Sequence, residues 1–157
     1  MRAAVFSDTH GRTDLMVDAI EHYKPDMIIH LGDCEKDTEI LKKKFPDIPL
    51  HNVCGNCDFS PKAPLAELVD MGPVKALICH GHSYGVDMDT DRLVWSAREQ
   101  GAKIAMYGHT HRADNTTAGG VQVLNPGTAG SGYRLSWATV EVLENGGIAT
   151  AIQWFDK

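Results

Sequence analysis

Short apolar runs recur along the chain, and the polar clusters between them set the elements. Ala3 to Phe6 and Met27 to Leu31 read as strands buried on both faces, and Leu50 to Val53 as a third. Between the first two, Leu15, Met16, Ala19, Ile20 and Tyr23 fall on one stripe of a helix. Thr13 or Asp14 can cap it and Pro25 closes it. Asp37 to Phe45 predicts a short amphipathic helix with Ile40, Leu41 and Phe45 inward. Its Lys42, Lys43 and Lys44 form a solvated face near the C-terminus, where they suit the helix dipole. This rhythm of strand and helix predicts a parallel sheet with right-handed crossovers.

From Ala66 the pattern changes. Leu68 to Met71 and Val74 to Cys79, around Gly72-Pro73, read as a hairpin. Thr90 to Gln100 predicts a helix with Leu93, Val94 and Ala97 inward and Gly101 as its stop. Ile104 to Tyr107 is a further buried strand. Asp114 to Ala118 and Val121 to Leu124 flank Gly119-Gly120, and Asn125-Pro126-Gly127 makes a turn. Trp137 to Leu143 and Ile148 to Phe155 form a C-terminal hairpin with the period-2 pattern of a half-buried sheet. With no repeat, linker or low-complexity tract, the expectation is one α/β domain over residues 1–157.

Chemistry gathers where the apolar runs stop. The ends hold Asp8 and His10, Asp33, Asn56, His80, and His109 with His111 behind Gly108. Ligands collect outside the carboxyl ends of strands in open α/β sheets, so these residues are predicted to converge. Oxygen and imidazole donors without thiolate suit Mn²⁺, Fe or Zn²⁺. Seven donors exceed one tetrahedral site and suit two adjacent ions. His22, His30 and His51 lack the pattern and read as structural.

Composition narrows the partners. A net charge of −6 argues against general nucleic-acid or anionic-membrane binding, but not against a phosphorylated substrate at a cationic centre. No stretch approaches the length of a membrane span or the apolar core of a signal peptide, so a cytoplasmic setting is expected. Cys34, Cys54, Cys57 and Cys79 are then reduced thiols. Cys54 and Cys57 have redox spacing, but no second Cys-x-x-Cys exists to complete a four-cysteine zinc site.

Taken in order, Asp8-Thr9-His10, Gly32-Asp33, Gly55-Asn56, His80, Gly108-His109-Thr110-His111 and Asn125-Pro126-Gly127 resemble the motifs of the calcineurin-like metallophosphoesterases. The resemblance is closest to their small bacterial and archaeal members and covers nearly the whole chain. It implies a four-layer α-β-β-α sandwich of two mixed β-sheets flanked by helices. It further implies one metal held by Asp8, His10 and His111, a second held by Asn56, His80 and His109, and Asp33 bridging them. Mn²⁺ is the expected metal, with Fe, Zn²⁺ or Ni²⁺ as alternatives. Two such cations hold hydroxide between them at neutral pH, and it attacks phosphorus in line with the leaving oxygen. Asp33, Asn56 and His10 are the ligands expected nearest that chemistry.

The chain departs from many larger members at Cys57, where they carry a histidine that serves the leaving group. A thiol is a poor substitute for imidazolium. The expectation is therefore a phosphodiesterase acting on a small or nucleotide-like substrate. A phosphomonoesterase is the alternative within the same chemistry. A non-catalytic interaction scaffold is the alternative outside it, since one subunit of the retromer complex has this fold. Cys57, Asp58, His82 and Arg134 are candidate substrate contacts. For His82 the competing reading is a solvated loop histidine, and for Arg134 a surface salt bridge. Whether the chain forms a homo-oligomer is open.

Overall fold

The computed structural model describes residues 1–59 and 61–155. Alternation along single strands explains the layering. In β1 (Arg2–Phe6), Ala3 and Val5 face one core while Ala4 and Phe6 face another. In β5 (Lys75–Cys79), Ala76 and Ile78 face the first of these cores, and Leu77 and Cys79 turn away from it. Both faces of each strand are therefore covered, as their continuous apolar runs require.

One sheet contains β1, β2 (Met27–His30) and β3 (Leu50–Asn52) in parallel. β9 (Ser136–Val142) pairs antiparallel with β1, and β10 (Ile148–Trp154) with β9, giving the order β10-β9-β1-β2-β3. The other sheet has the order β4-β5-β6-β8-β7, with β4 (Ala66–Asp70), β6 (Ile104–Met106), β7 (Asp114–Ala118) and β8 (Val121–Asn125). There β5, β6 and β8 are parallel and the two edges antiparallel. Ile29, Leu31, Ile78, Met106 and Val140 fill the space between the sheets. Helices α1 (Asp14–Tyr23) and α2 (Glu35–Lys44) cover the first sheet, and α3 (Asp91–Glu99) covers the second. This is the expected four-layer sandwich of two mixed sheets.

Several local expectations need correction. Ile40 is 48% exposed; the buried positions of α2 are Asp37, Thr38 and Leu41. Asp37 is inside because its carboxylate accepts from the Thr9 hydroxyl at 2.5 Å and the Gly11 N–H at 2.9 Å. Helix α2 also starts two residues early, at Glu35, where Asp58 receives its first N–H groups. Thr13 is the N-cap of α1 but makes no side-chain cap bond. β9 is largely buried rather than half-buried, because it lies between β1 and β10. A single 3-10 turn at His82–Tyr84 was not apparent in the pattern. Among the described residues, no helix is long and apolar enough to cross a membrane.

Candidate metal centre

The two sheets bring the carboxyl ends of β1, β2, β3, β5 and β6 to one edge, and the loops that leave them are conformationally costly. Asp8, His10, Asp33, His109 and His111 have φ of 55°, 47°, 61°, 67° and 60°. These five are among seven non-glycine residues with positive φ in the described chain; Cys34 is a sixth, and Lys24 is the cap of α1. Each such residue costs on the order of 1 kcal/mol or more, and such strain persists where the surroundings enforce it, typically at functional sites.

The donor atoms meet. Asp8, His10 and His111 present ligand atoms within 4.8 Å of one another, and so do Asp8, Asp33 and His80. Asp8 Oδ1 faces His111 Nε2 at 3.1 Å, while its Oδ2 accepts from Ser7 Oγ at 2.6 Å and the His109 N–H at 3.2 Å. His80 Nδ1 donates to the Leu31 carbonyl at 2.7 Å, which turns Nε2 inward. Around Nε2 lie Asn56 Oδ1 at 3.0 Å, Asp33 Oδ2 at 3.5 Å and Asp8 Oδ1 at 3.8 Å. Asn56 Oδ1 is also 3.0 Å from His109 Nδ1. All seven residues expected at the site thus share it. The carboxylate common to both groups is Asp8, whereas Asp33 falls only in the group with His80.

Electrostatics favour a cation there. Burial pushes the Asp8 carboxyl up, beyond what His80, Ser7 and His111 pull back. Burial also acts on Asp33, but hydrogen bonds from His80 and the Cys57 N–H outweigh it and hold that carboxyl well below its usual range. Burial opposes charge on His80, yet Asp33 and Asp8 together raise its pKa. Three acceptor oxygens around one imidazole nitrogen exceed what its single proton satisfies. Two buried carboxylates with converging imidazoles fit divalent cations of the Mn²⁺, Fe or Zn²⁺ kind.

A model of the calcineurin-like phosphoesterase superfamily domain matches residues 1–145. The chain belongs to that superfamily. It is 33% identical to a probable metallophosphoesterase of Bacillus subtilis, YsnB, over 82% of this chain and 75% of that protein. A solved Vps29 from Entamoeba histolytica, complexed with zinc, shares the fold with a TM-score of 0.77 at 21% identity, covering 99% of this chain and 100% of that one. An archaeal phosphodiesterase does so with a TM-score of 0.72 at 19% identity, covering 98% and 100%.

The supports of these loops come mostly from residues that the sequence pattern did not single out. Asp37 is one, linked through Thr9 to His30 Nε2 at 3.0 Å. His30 Nδ1 accepts from the Gly32 N–H at 3.2 Å, so the ring is a neutral brace, and burial lowers its pKa to about 4. Asn125 donates to the Gly108 carbonyl at 3.1 Å and to Thr110 Oγ1 at 3.0 Å, steadying the last motif. Thr128 donates to the Asp8 carbonyl at 2.9 Å. Asp87 meets His109 Nε2 at 2.9 Å. Gly108 is needed for room rather than for freedom of the backbone: a Cβ there would strike Ser7 Oγ and Asp8 Oδ2. Asn125 had a signal in its motif; Asp37 and Asp87 had none beyond being acidic.

The four expected substrate contacts divide. Asp58 accepts from the N–H groups of Asp33 (3.1 Å), Cys34 (2.7 Å), Glu35 (2.8 Å) and Gly55 (2.7 Å). Its carboxylate holds together the two turns that carry Asp33 and Asn56. Cys57 is exposed at the centre's edge; burial of its sulfur and then Asp33 push the thiol's pKa up, so it stays protonated at neutral pH. His82 lies 5.5 Å from the His80 ring and 6.2 Å from that of His109, and its buried Nδ1 has no partner among the described residues. Among the described residues Arg134 makes no ion pair; its guanidinium stacks 3.9 Å over the Trp154 ring and helps line a depression that includes His111. None of the four cysteines is in a disulfide.

Proposed function

We propose that this phosphoesterase hydrolyses phosphodiesters of small, nucleotide-like molecules, using two divalent cations of which Mn²⁺ is the first choice. Asp8, His10 and His111 would hold one cation, Asn56, His80 and His109 the other, with Asp33 between them. The observation that carries the reading is the convergence of seven donors, five of them on left-handed backbone. When bound, the cations would supply an activated water and the positive charge that phosphoryl oxygens need. The chain's own part is to keep the geometry. The Leu31 carbonyl orients His80, Ser7 and the His109 N–H fix one oxygen of Asp8, and Asp58 clamps the turns that carry Asp33 and Asn56.

The preference for diesters rests on the leaving-group side. Cys57 is a thiol with a raised pKa, and all four hydrogen bonds at Asp58 come from the backbone. Neither is a ready proton donor for a poorly leaving alkoxide, so esters whose leaving group departs unaided are favoured. The likeness to Vps29 keeps the scaffold reading in view. Because a Vps29 has been solved with zinc, metal binding alone does not separate the two readings, and activity must. The expected cytoplasmic setting accords with free thiols but adds nothing to the mechanism.

The test is hydrolysis of an aryl phosphodiester by metal-stripped protein, with and without Mn²⁺, beside the matching monoester and an Asp33→Asn control. Turnover restored by metal, absent in the control and greater on the diester is the expected result. Faster monoester cleavage would make it a phosphomonoesterase. Two bound metals with no turnover would favour the scaffold.

A further inference from the structure

In a chain of net charge −6, a group of arginines adjoins the metal centre. Two depressions of about 280 and 450 Å³ lie side by side and share Tyr133, Arg134 and Trp154. The smaller includes His111 and Arg112; the larger extends to Arg12. Among the described residues, neither is lined by an acidic one. Arg112 and Arg134 form no ion pair among the described residues, and Arg12 has only a 3.5 Å contact with an exposed Asp14. Three arginines on one side of an otherwise acidic chain give that side a local positive potential that attracts anions.

We propose that this arginine trough binds a second phosphate of the substrate, so that the preferred substrate is a phosphodiester carrying a separate phosphomonoester group. The proposal rests on the phosphodiesterase reading and narrows its substrate class. Stacking on Trp154 holds the Arg134 guanidinium in one plane and leaves its N–H edges outward, the geometry that a phosphate takes bidentately. Arg112 directly follows a ligand of the centre, so the second phosphate sits beside the first rather than at a remote site. The overall acidity disfavours a nucleic-acid polymer, whose other phosphates would meet no compensating charge.

Binding decides it first, on Mn²⁺-loaded protein, by titration calorimetry with thymidine 3′,5′-bisphosphate and with thymidine 5′-monophosphate. The bisphosphate is expected to bind at least about tenfold more tightly, and Arg134→Ala with Arg112→Ala to erase that margin. Arg98→Ala, on α3, is the control expected to change nothing. A variant that loses thermal stability but keeps the margin would show that Arg134 only packs on Trp154, and would overturn the proposal. So would equal binding of the two probes. Activity follows with Mn²⁺, using p-nitrophenyl esters of thymidine 5′-phosphate with and without a 3′-phosphate. The arginine variants should raise KM for the phosphorylated ester alone and leave kcat in place. If the bisphosphate margin is present but neither ester turns over, the trough stands and the phosphodiesterase reading fails.

Discussion

The floor of the metal centre and its rim are built by different means. Asp8, Asp33 and His80 form the floor, at 0%, 3% and 0% exposure. Their polar atoms are fixed by interior groups: Ser7, the Leu31 carbonyl, and the N–H groups of Cys57 and His109. His10, Asn56 and His111 stand exposed at the rim, with His109 partly so. The rim histidines share the left-handed backbone of Asp8 and Asp33, but His10 and His111 have fewer partners among the described residues. Buried groups must be satisfied in advance, because an orphan there costs more than at the surface. In the proposed reading the floor would set where cations go and the rim would complete their coordination.

The largest expected effect comes from the floor. Asp33→Asn removes a buried carboxylate of the donor group with His80, and activity on an aryl diester should fall by ~10³-fold or more with loss of metal measured at equilibrium. His10→Ala removes a rim ligand of one position, and the loss should be nearer ~10- to 100-fold. Equal losses would erase the distinction between the two regions.

The clamp beneath the floor comes next. Asp58→Ala leaves four N–H groups without their acceptor. The variant should lose about 3 kcal/mol in urea unfolding and ~10- to 100-fold in metal affinity. An unchanged affinity would mean that Gly32-Asp33 and Gly55-Asn56 keep their places unaided.

The His30 brace gives a pH-dependent test. Its folded pKa is about 4 against 6.5 in the unfolded chain, so between those values the unfolded state binds the extra proton. This contribution to stability is therefore lost as pH falls from 6.5 towards 4 and has no effect above that window. The metal-free protein and its His30→Gln variant should differ in urea unfolding at pH 7, and that difference should shrink by about 3 kcal/mol at pH 4. A constant difference would mean that His30 takes up its proton without leaving the Thr9 network.

The sequence pointed to the floor and rim residues more readily than to what holds them. Each ligand follows an apolar strand, so position and chemistry coincide, as at Asp8 after β1 and His80 after β5. Asp37, Asp58 and Asn125 look like ordinary helix-start or turn residues, and their partners are distant in sequence. The same difficulty misplaced Ile40: a helix that buries Asp37 and Thr38 has a wheel that points the wrong apolar residue inward. The strands were visible as alternation, but the insertion of β9 between β1 and β10 depends on pairing across 130 residues of chain, which no local pattern encodes.

The smallest expected effect tests the rim from outside. Asp87 meets His109 Nε2 at 2.9 Å, and its side chain is 68% exposed. Partners of metal-binding histidines that orient the ring typically matter ~10- to 100-fold in affinity, largely when they are sheltered from water. Here solvent screens the carboxylate, and His109 Nδ1 is already aimed at Asn56 Oδ1 by a backbone at φ 67°. Asp87→Asn should therefore weaken metal binding by less than about tenfold, and less still at high salt. A loss as large as that of Asp58→Ala would make Asp87 a structural support equal to those inside. The rim would then be held by side-chain partners, and the strained backbone would be a consequence of that packing rather than what aims the ring.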